Sequence, residues 1–229
     1  MTVEQLVNLV KKAARDYYDD TPLEEVVITG GEPTLDRQYL VDLVLHLKEF
    51  VNWIVLDTNG YFLDDAYLQE LIEAGVTEVM FDLKAWDETL HEWYTGCSNR
   101  RIVENIRNAY GKVKLVVNTV FVPGIVDDRE IENIARFLAE LEDEAEIDYR
   151  INRFRAELSH EKISRNPYPE EIERAYSIVA TYLKSPVIGK SCVRERKVEV
   201  TRGWITVFPD GTSKRRTLDD YRADNKKLR

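Results

Sequence analysis

Charged residues and glycines gather where apolar runs of the sequence end, and their types and spacing suit the binding of a zwitterion. The run Val26–Thr29 ends in Gly30-Gly31-Glu32-Pro33. A glycine pair lets backbone groups approach a ligand closely. Asp82 and Lys84 lie two residues apart at the end of another run, and strand alternation puts both on one face. A carboxylate and an ammonium group on one face can hold a molecule that carries both charges.

The other apolar runs also end in polar residues. Asp57-Thr58-Asn59-Gly60 follows the second run, and the fourth contains Asn118 and closes at Pro123-Gly124. The fifth carries Asn152, Arg153 and Arg155. Taken singly, each feature has a plain structural explanation as a turn, a cap or an ion pair. Ligands of parallel α/β sheets bind at the C-terminal ends of the strands, so the recurrence at that end favours a ligand site.

Five β-branched runs alternate with amphipathic runs, and the mid-strand steps of 25 to 36 residues predict βαβ crossovers and a parallel sheet. The predicted strands are Val26–Thr29, Trp53–Asp57, Glu78–Leu83, Val113–Val120 and Ile147–Phe154. The predicted helices between them are Asp36–Phe50, Asp64–Ala74, Asn99–Tyr110 and Asp127–Glu142. This pattern leaves open a doubly wound sheet and a full or partial barrel.

Both ends of the chain carry further elements. Thr2 and Gln5 form a capping box that predicts a helix at the start. Tyr168–Leu183 reads as another helix, and alternating residues around Pro209-Asp210-Gly211 predict a β-hairpin. We therefore expect an α/β domain over residues 1–184 and a basic extension with a hairpin over residues 185–229.

The bulk composition favours a soluble protein of the reducing cytoplasm. The chain has 229 residues, 44% of them apolar, which is enough for one sizeable core. No apolar run reaches the roughly 18 residues of a membrane span, and the residues after Met1 do not resemble a signal peptide. Two cysteines, Cys97 and Cys192, do not make a disulfide framework.

The net charge of -10 is distributed unevenly. Residues 184–229 carry 13 Lys and Arg against 6 Asp and Glu, and residues 1–183 carry 19 against 36. The basic segment could meet a nucleic acid, with Trp204 and Phe208 stacking on bases. The alternative, which we prefer, is a hairpin that packs these two aromatics into the core and leaves a charged rim.

Four motifs together resemble one family. "ITGGEP", "LDTNG", "FDLK" and "VFVPG", in this order and at these spacings, are similar to those of the radical S-adenosylmethionine (SAM) superfamily, and most of all to enzymes of the pyruvate formate-lyase activating type. The resemblance runs from about Thr2 to Phe154. It implies a partial (β/α) barrel and an enzyme that cleaves SAM to a 5′-deoxyadenosyl radical, which activates a protein or modifies a small-molecule substrate.

The resemblance also implies roles for residues at the strand ends. Gly30, Gly31 and Glu32 would take the amino group of SAM, and Lys84 would lie near its carboxylate. A monovalent cation beside that carboxylate would be surrounded by Asp57, Thr58, Asp82 and the carbonyl of Met80. Asn118 and Val120 would lie near the ribose and adenine. No catalytic residue is assigned, because Arg153 or Arg155 stands where activating enzymes carry a histidine, and His160 lies further on.

The [4Fe-4S] cluster that the family implies has no matching ligands in the sequence. A Cys-x3-Cys-x2-Cys loop should hold the cluster, whereas Cys97 and Cys192 are 95 residues apart and are expected to be buried or semi-buried thiols. Either the natural protein is longer and carries the first strand and the cluster loop, or the chain is a cluster-free protein. The second case would be a SAM-dependent methyltransferase, with RNA as one substrate, or a non-catalytic SAM-binding subunit. The preserved methionine-binding motifs favour the first.

Overall fold

The computed structural model describes residues 1–18, 22–143, 145–156, 165–184 and 203–217. His160, Cys192 and the part of the predicted basic extension before Gly203 lie outside these ranges.

Five parallel strands form one sheet whose spatial order follows the chain, β1-β2-β3-β4-β5. They are β1 (Glu25–Ile28), β2 (Trp53–Thr58), β3 (Glu78–Asp82), β4 (Lys114–Phe121) and β5 (Ile147–Arg153). A doubly wound sheet would reverse its order at a switch point, whereas a barrel adds each strand beside the last. The sheet is therefore the wall of a partial barrel, as the family resemblance predicts.

Seven helices occur in the described residues. They are α1 (Val3–Tyr18), α2 (Arg37–Leu47), α3 (Asp65–Ala74), α4 (Glu88–Thr95), α5 (Arg100–Ala109), α6 (Asp128–Leu141) and α7 (Pro169–Val179). Asp36, Asp64 and Asp127 each accept a hydrogen bond from a backbone N–H of the first turn, which is why α2, α3 and α6 begin where the sequence predicts.

The sequence analysis missed α4. The pattern between β3 and β4 predicted one helix, and the structure has two, α4 and α5. Of the eight residues of α4 only His91 is buried, so an apolar stripe is missing from its sequence. The helix is instead defined by its ends. Asp87 caps it by accepting from the Leu90 N–H (2.8 Å), and Gly96 ends it in the left-handed conformation.

Strand alternation divides the sheet into two faces with different tasks. The face toward the helices holds the main core, with Leu56, Phe81, Val117 and Tyr149 completely excluded from solvent, whereas Val26 and Ile28 on the edge strand β1 are half-buried. The opposite, inner face carries a small apolar layer of Val55, Met80 and Val116 with Trp53 packed against it. Polar residues lie on this inner face at both ends of the strands.

The C-terminal strands β6 (Trp204–Val207) and β7 (Ser213–Arg216) form the predicted hairpin. It lies beside α1, where the Tyr18 hydroxyl donates to the Gly203 carbonyl (3.0 Å). The expectation that Trp204 and Phe208 pack into the core is wrong, because 37% and 38% of their surfaces are exposed. Residues 205–207, which lie between them, are half-buried, so the protein covers this stretch more than the two aromatics at its ends.

No helix among the described residues combines the length and the apolar character that crossing a membrane requires.

Candidate functional site

The turn after β1 presents an open backbone surface. Gly30 and Gly31 both have positive φ angles, 94° and 53°. This conformation is accessible to glycine at little cost, and most other residues avoid it. Among the described residues, and leaving aside the immediate chain neighbours, no heavy atom lies within 4 Å of the place where a Cβ would stand on either residue. The turn therefore leaves room for a ligand against its backbone.

Glu32 ties this turn to the end of β2. Its Oε1 accepts from the backbone N–H (3.0 Å) and the hydroxyl (2.5 Å) of Thr34, and from the hydroxyl of Thr58 (2.6 Å). Its Oε2 accepts from the Asn59 N–H (2.8 Å). Each carboxylate oxygen can accept more than one hydrogen bond. Oε2, with one bond from the described residues, keeps the capacity to accept from a ligand.

Three further predicted residues meet at the ends of β2 and β3. Lys84 Nζ lies 2.8 Å from an Asp82 carboxylate oxygen. Thr29 donates its hydroxyl to Asp57 (3.0 Å). Burial raises the pKa of Asp57 above its ordinary value, and the neighbouring charge of Asp82 raises it further. Two carboxylates thus share one region with one ammonium group.

The next strand completes the group. Asn118 on β4 is the Cα partner of Asp82 on β3, so their side chains share the inner face, and Asn118 is nearly buried. Val120 follows two residues later on the same face. We call the residues gathered here the cradle: Gly30, Gly31, Glu32, Asp57, Asp82, Lys84, Asn118 and Val120.

The predicted cation ligands are only partly brought together. Thr58 is buried on the opposite face of β2 from Asp57, and its hydroxyl donates to Glu32 and accepts from the Gly60 N–H (3.0 Å). Its backbone carbonyl is what remains for a cation. In the part of the chain that the structure describes, no group of three or more His, Cys, Asp or Glu side chains could hold a metal ion. The monovalent cation stays a prediction.

Two other predicted residues, Cys97 and Arg153, are not among the cradle residues. Cys97, expected to be buried or semi-buried, is exposed in the turn between α4 and α5. The short, polar α4 leaves that turn outside the core. Arg153 is exposed at the end of β5.

The N-terminal end of the same inner face holds residues that the sequence analysis did not single out. Glu78 accepts from the indole N–H of Trp53 (3.3 Å) and lies 3.8 Å from the Arg150 guanidinium. Arg150 also donates to the sulfur of Met80 (3.2 Å), and Lys114 pairs with Asp148 at 3.2 Å. We call this layer the floor. The alternation Glu78, Met80, Asp82 was the signal that places Glu78 on the same face as the cradle.

A cavity of about 600 Å³ opens beside the floor, lined by Trp53, Thr77, Lys114 and Asp148 among others. Ligand sites of barrels and open α/β sheets lie at the opposite end, where the strands end. The charges at the floor are already paired with one another, whereas the cradle has three carboxylates and one ammonium group. The cradle is therefore the candidate site. Its excess of carboxylates suits a cationic ligand that also carries a carboxylate for Lys84.

Comparison with known proteins identifies the family. Residues 1–138 match the model of the Radical SAM superfamily. A Methanocaldococcus jannaschii protein named as a candidate glycyl-radical enzyme activating enzyme is 33% identical over 202 residues, which cover 86% of this chain and 73% of that protein. The isethionate sulfite-lyase activating enzyme of Oleidesulfovibrio alaskensis is 31% identical over 150 residues, covering 64% of this chain and 47% of the enzyme.

A solved structure supports the fold. A domain of pyruvate-formate lyase-activating enzyme from Bacteroides vulgatus has a TM-score of 0.57 and 22% identity, and the match covers 69% of this chain and 94% of that domain. The shared part is the α/β architecture, with the strands and helices in the same arrangement.

Proposed function

The chain belongs to the radical SAM superfamily, and from that premise we propose that it forms the SAM-binding barrel of an enzyme that activates a glycyl-radical enzyme. The observation that carries the proposal is the cradle. A lysine paired with an aspartate at 2.8 Å stands on the face that Asp57 and Asn118 share, at the strand ends, where ligands bind.

The charges of the cradle match those of SAM. The methionine end of SAM carries an ammonium and a carboxylate group, and its sulfur is a sulfonium. Glu32, Asp57 and Asp82 offer carboxylates for the two positive groups, and Lys84 offers an ammonium for the negative one. The raised pKa of Asp57 has burial as its first cause and Asp82 as its second. A cation bound between these carboxylates would relieve that repulsion.

Each cradle residue has a definite task in this proposal. The open backbone of Gly30 and Gly31 and the free acceptor site of Glu32 hold the ammonium group. Lys84 leaves Asp82 to meet the carboxylate, and Asn118 and Val120 contact the nucleoside. When bound, SAM supplies the carbon–sulfur bond whose cleavage gives the family its 5′-deoxyadenosyl radical.

The [4Fe-4S] cluster that the family uses does not fit the residues present. The sequence has two cysteines, 95 residues apart, and one of them, Cys97, is exposed at some distance along the chain from the cradle motifs. Three thiolates are needed in one loop, so this chain's own residues do not form the ligand set. We therefore assign to these residues the binding and orientation of SAM and no step of electron transfer.

The substrate in this proposal is a protein. The two relatives reported above are named as activating enzymes, one of a glycyl-radical enzyme and the other of isethionate sulfite-lyase. A methyltransferase is not favoured, because the family and these relatives both point to radical chemistry.

A calorimetric titration tests the proposal. S-adenosylhomocysteine and SAM should each bind the 229-residue chain at one site, weakly, because the family's cluster supplies part of the contact to the methionine end. Asp82→Asn should weaken both by about tenfold, the effect of losing one charge-assisted contact. Asp65→Asn, at an exposed aspartate on α3, is the matched control and should leave binding unchanged. Absence of saturable binding up to about 1 mM, roughly −4 kcal/mol of binding free energy, would contradict the proposal.

A further inference from the structure

The segment that carries Lys84 has no regular structure of its own. β3 ends at Asp82 and α4 begins at Glu88, so residues 83–87 belong to neither the sheet nor a helix. Leu83 and Ala85 are nevertheless completely buried. The backbone polar groups of such a segment need partners, since an unpaired buried N–H or carbonyl costs as much as a lost hydrogen bond.

Leu83 is held by β4, because its N–H donates to the Asn118 carbonyl (3.0 Å) and its carbonyl accepts from the Thr119 hydroxyl (2.8 Å). Two side chains from other elements supply partners for residues 85–87. One oxygen of Glu130 accepts from the backbone N–H groups of Trp86 (2.6 Å) and Asp87 (3.0 Å). The amide of Asn99 donates to the carbonyls of Ala85 (3.1 Å) and Trp86 (2.7 Å). Glu130 and Asn99 are buried, with 6% and 5% of their surfaces exposed. Together they bond two N–H groups and two carbonyls of residues 85–87.

The hold is firm because one partner is charged. Within the described residues no ion pair includes Glu130, so its charge is stabilised by the two N–H groups and by the N-terminus of α6, where it is the third residue. Hydrogen bonds to a carboxylate are roughly twice as strong as bonds between neutral groups. A second contact adds to this, since Trp86 packs its ring against Phe137 at 5.1 Å between centroids.

Lys84 directly precedes the residues that are held. We propose that Glu130 and Asn99 are positioning residues: they fix the backbone from which Lys84 reaches the carboxylate of the bound ligand. This inference rests on the proposed function, because it assumes that Lys84 meets that carboxylate. Among the described residues, the side-chain hydrogen bonds of Glu130 and Asn99 go to the segment and not to the cradle, so both act through Lys84.

Two ligands separate positioning from general support of the fold. S-adenosylhomocysteine carries the amino-acid carboxylate, and 5′-methylthioadenosine has the same nucleoside and sulfur without it. Glu130→Ala should lower the affinity for S-adenosylhomocysteine by about tenfold, as expected for a displaced charge-assisted contact. It should change the affinity for 5′-methylthioadenosine by less than about twofold, because this ligand has no carboxylate for Lys84 to meet.

Two further variants complete the test. Glu130→Gln keeps an oxygen that can accept from both N–H groups and should restore most of the affinity. Adding Glu130→Ala to Lys84→Ala should cause no further loss, because the effect passes through Lys84. If Glu130→Ala gives no cooperative unfolding transition, Asn99→Ala carries the same comparison. Equal losses for both ligands, or losses that add to those of Lys84→Ala, would overturn the inference.

The outcomes also separate this inference from the proposal beneath it. If the unaltered chain binds S-adenosylhomocysteine and Glu130→Ala binds it equally well, only the positioning role fails. If the unaltered chain binds neither ligand, the assignment of the cradle fails and the positioning role with it.

Discussion

Two lysine–aspartate pairs stand on the same inner face of the sheet, and they belong to regions with different tasks. Lys84 and Asp82 lie 2.8 Å apart in the cradle, at the strand ends, and Lys114 and Asp148 lie 3.2 Å apart in the floor, at the strand beginnings. The four side chains are all between 14% and 36% exposed. Neither the residue types nor their burial tells the two pairs apart.

The difference lies in what surrounds each pair. In the floor the pair stands beside a second pair, Glu78 with Arg150, so two negative charges meet two positive ones. In the cradle Lys84 faces Asp82 together with Asp57 and Glu32. In the floor each charged side chain has a partner of opposite charge. In the cradle the carboxylates outnumber the ammonium group, so a ligand that brings positive charge would stabilise them. We propose that charge balance, more than exposure, separates the structural floor from a ligand site at the cradle.

The largest expected effect comes from breaking the floor. Glu78→Ala leaves Arg150, whose side chain is 12% exposed, without its carboxylate, and removes the acceptor of the Trp53 indole. Removing one partner of a buried pair costs about 3 kcal/mol or more. Urea denaturation should show this loss in the free energy of unfolding.

A double variant supplies the control for the floor. Glu78→Leu with Arg150→Met replaces both charges by apolar groups and should recover most of the lost stability. A Glu78→Ala chain that unfolds like the unaltered one but loses its affinity for S-adenosylhomocysteine would mean that the floor is part of a binding site.

The second effect is on affinity, and the two lysines serve as each other's control. Lys84→Ala should lower the affinity for S-adenosylhomocysteine by about tenfold, because a charge-assisted contact of roughly 1.5 kcal/mol is lost. Lys114→Ala should change it by less than about twofold. Calorimetry on the two variants side by side measures both affinities. Equal losses of affinity for S-adenosylhomocysteine would contradict the assignment of the cradle as the binding site and of the floor as a structural layer.

The smallest effect is the pH dependence of stability that Asp57 contributes. Its pKa in the folded chain is raised, first by burial and then by Asp82. The folded state thus binds the proton more tightly than the unfolded state, so the free energy of unfolding falls as the pH rises from the ordinary Asp pKa through the raised value. Asp57→Asn removes this loss, and the variant should be more stable than the unaltered chain at pH 7.

Asp210 in the hairpin turn provides the opposite sign. Hydrogen bonds from the Thr212 hydroxyl and N–H lower the pKa of Asp210. Its contribution is present at neutral pH and lost as the pH falls through the lowered pKa. Asp210→Asn should therefore be less stable than the unaltered chain at pH 7. Urea titrations at pH 7 and near pH 4 compare the two variants, and shifts of the same sign would show that the carboxyl environments are misassigned.

Much of the barrel could be predicted from the sequence because its signals are local. The strands β2, β3 and β4 bury their helix-facing side completely and read as β-branched runs. Asp36, Asp64 and Asp127 mark the starts of the helices that follow. α4 was missed because it is short and buries only His91. Its signals are the capping residue Asp87 and the terminating Gly96, which the search for apolar periodicity did not weigh.

The sequence predicts the residues of the cradle that stand at the ends of strands, but not the contacts that hold them in place. Asp82 and Lys84 follow from alternation on one strand. The hold of Glu130 and Asn99 on the segment after Lys84 joins residues up to 44 positions apart, and single-strand periodicity carries no trace of it. The burial of Trp204 and Phe208 was predicted wrongly for a similar reason. Alternation shows which residues share a face of a strand, but it does not show how much of that face the protein covers.

A crystal structure of the chain with S-adenosylhomocysteine tests the central claim most directly. The account predicts that the amino-acid end lies against Gly30–Glu32, with its carboxylate within hydrogen-bond distance of Lys84 Nζ and its nucleoside near Asn118 and Val120. A ligand bound in the cavity at the floor, or one whose carboxylate lies away from Lys84, would contradict it.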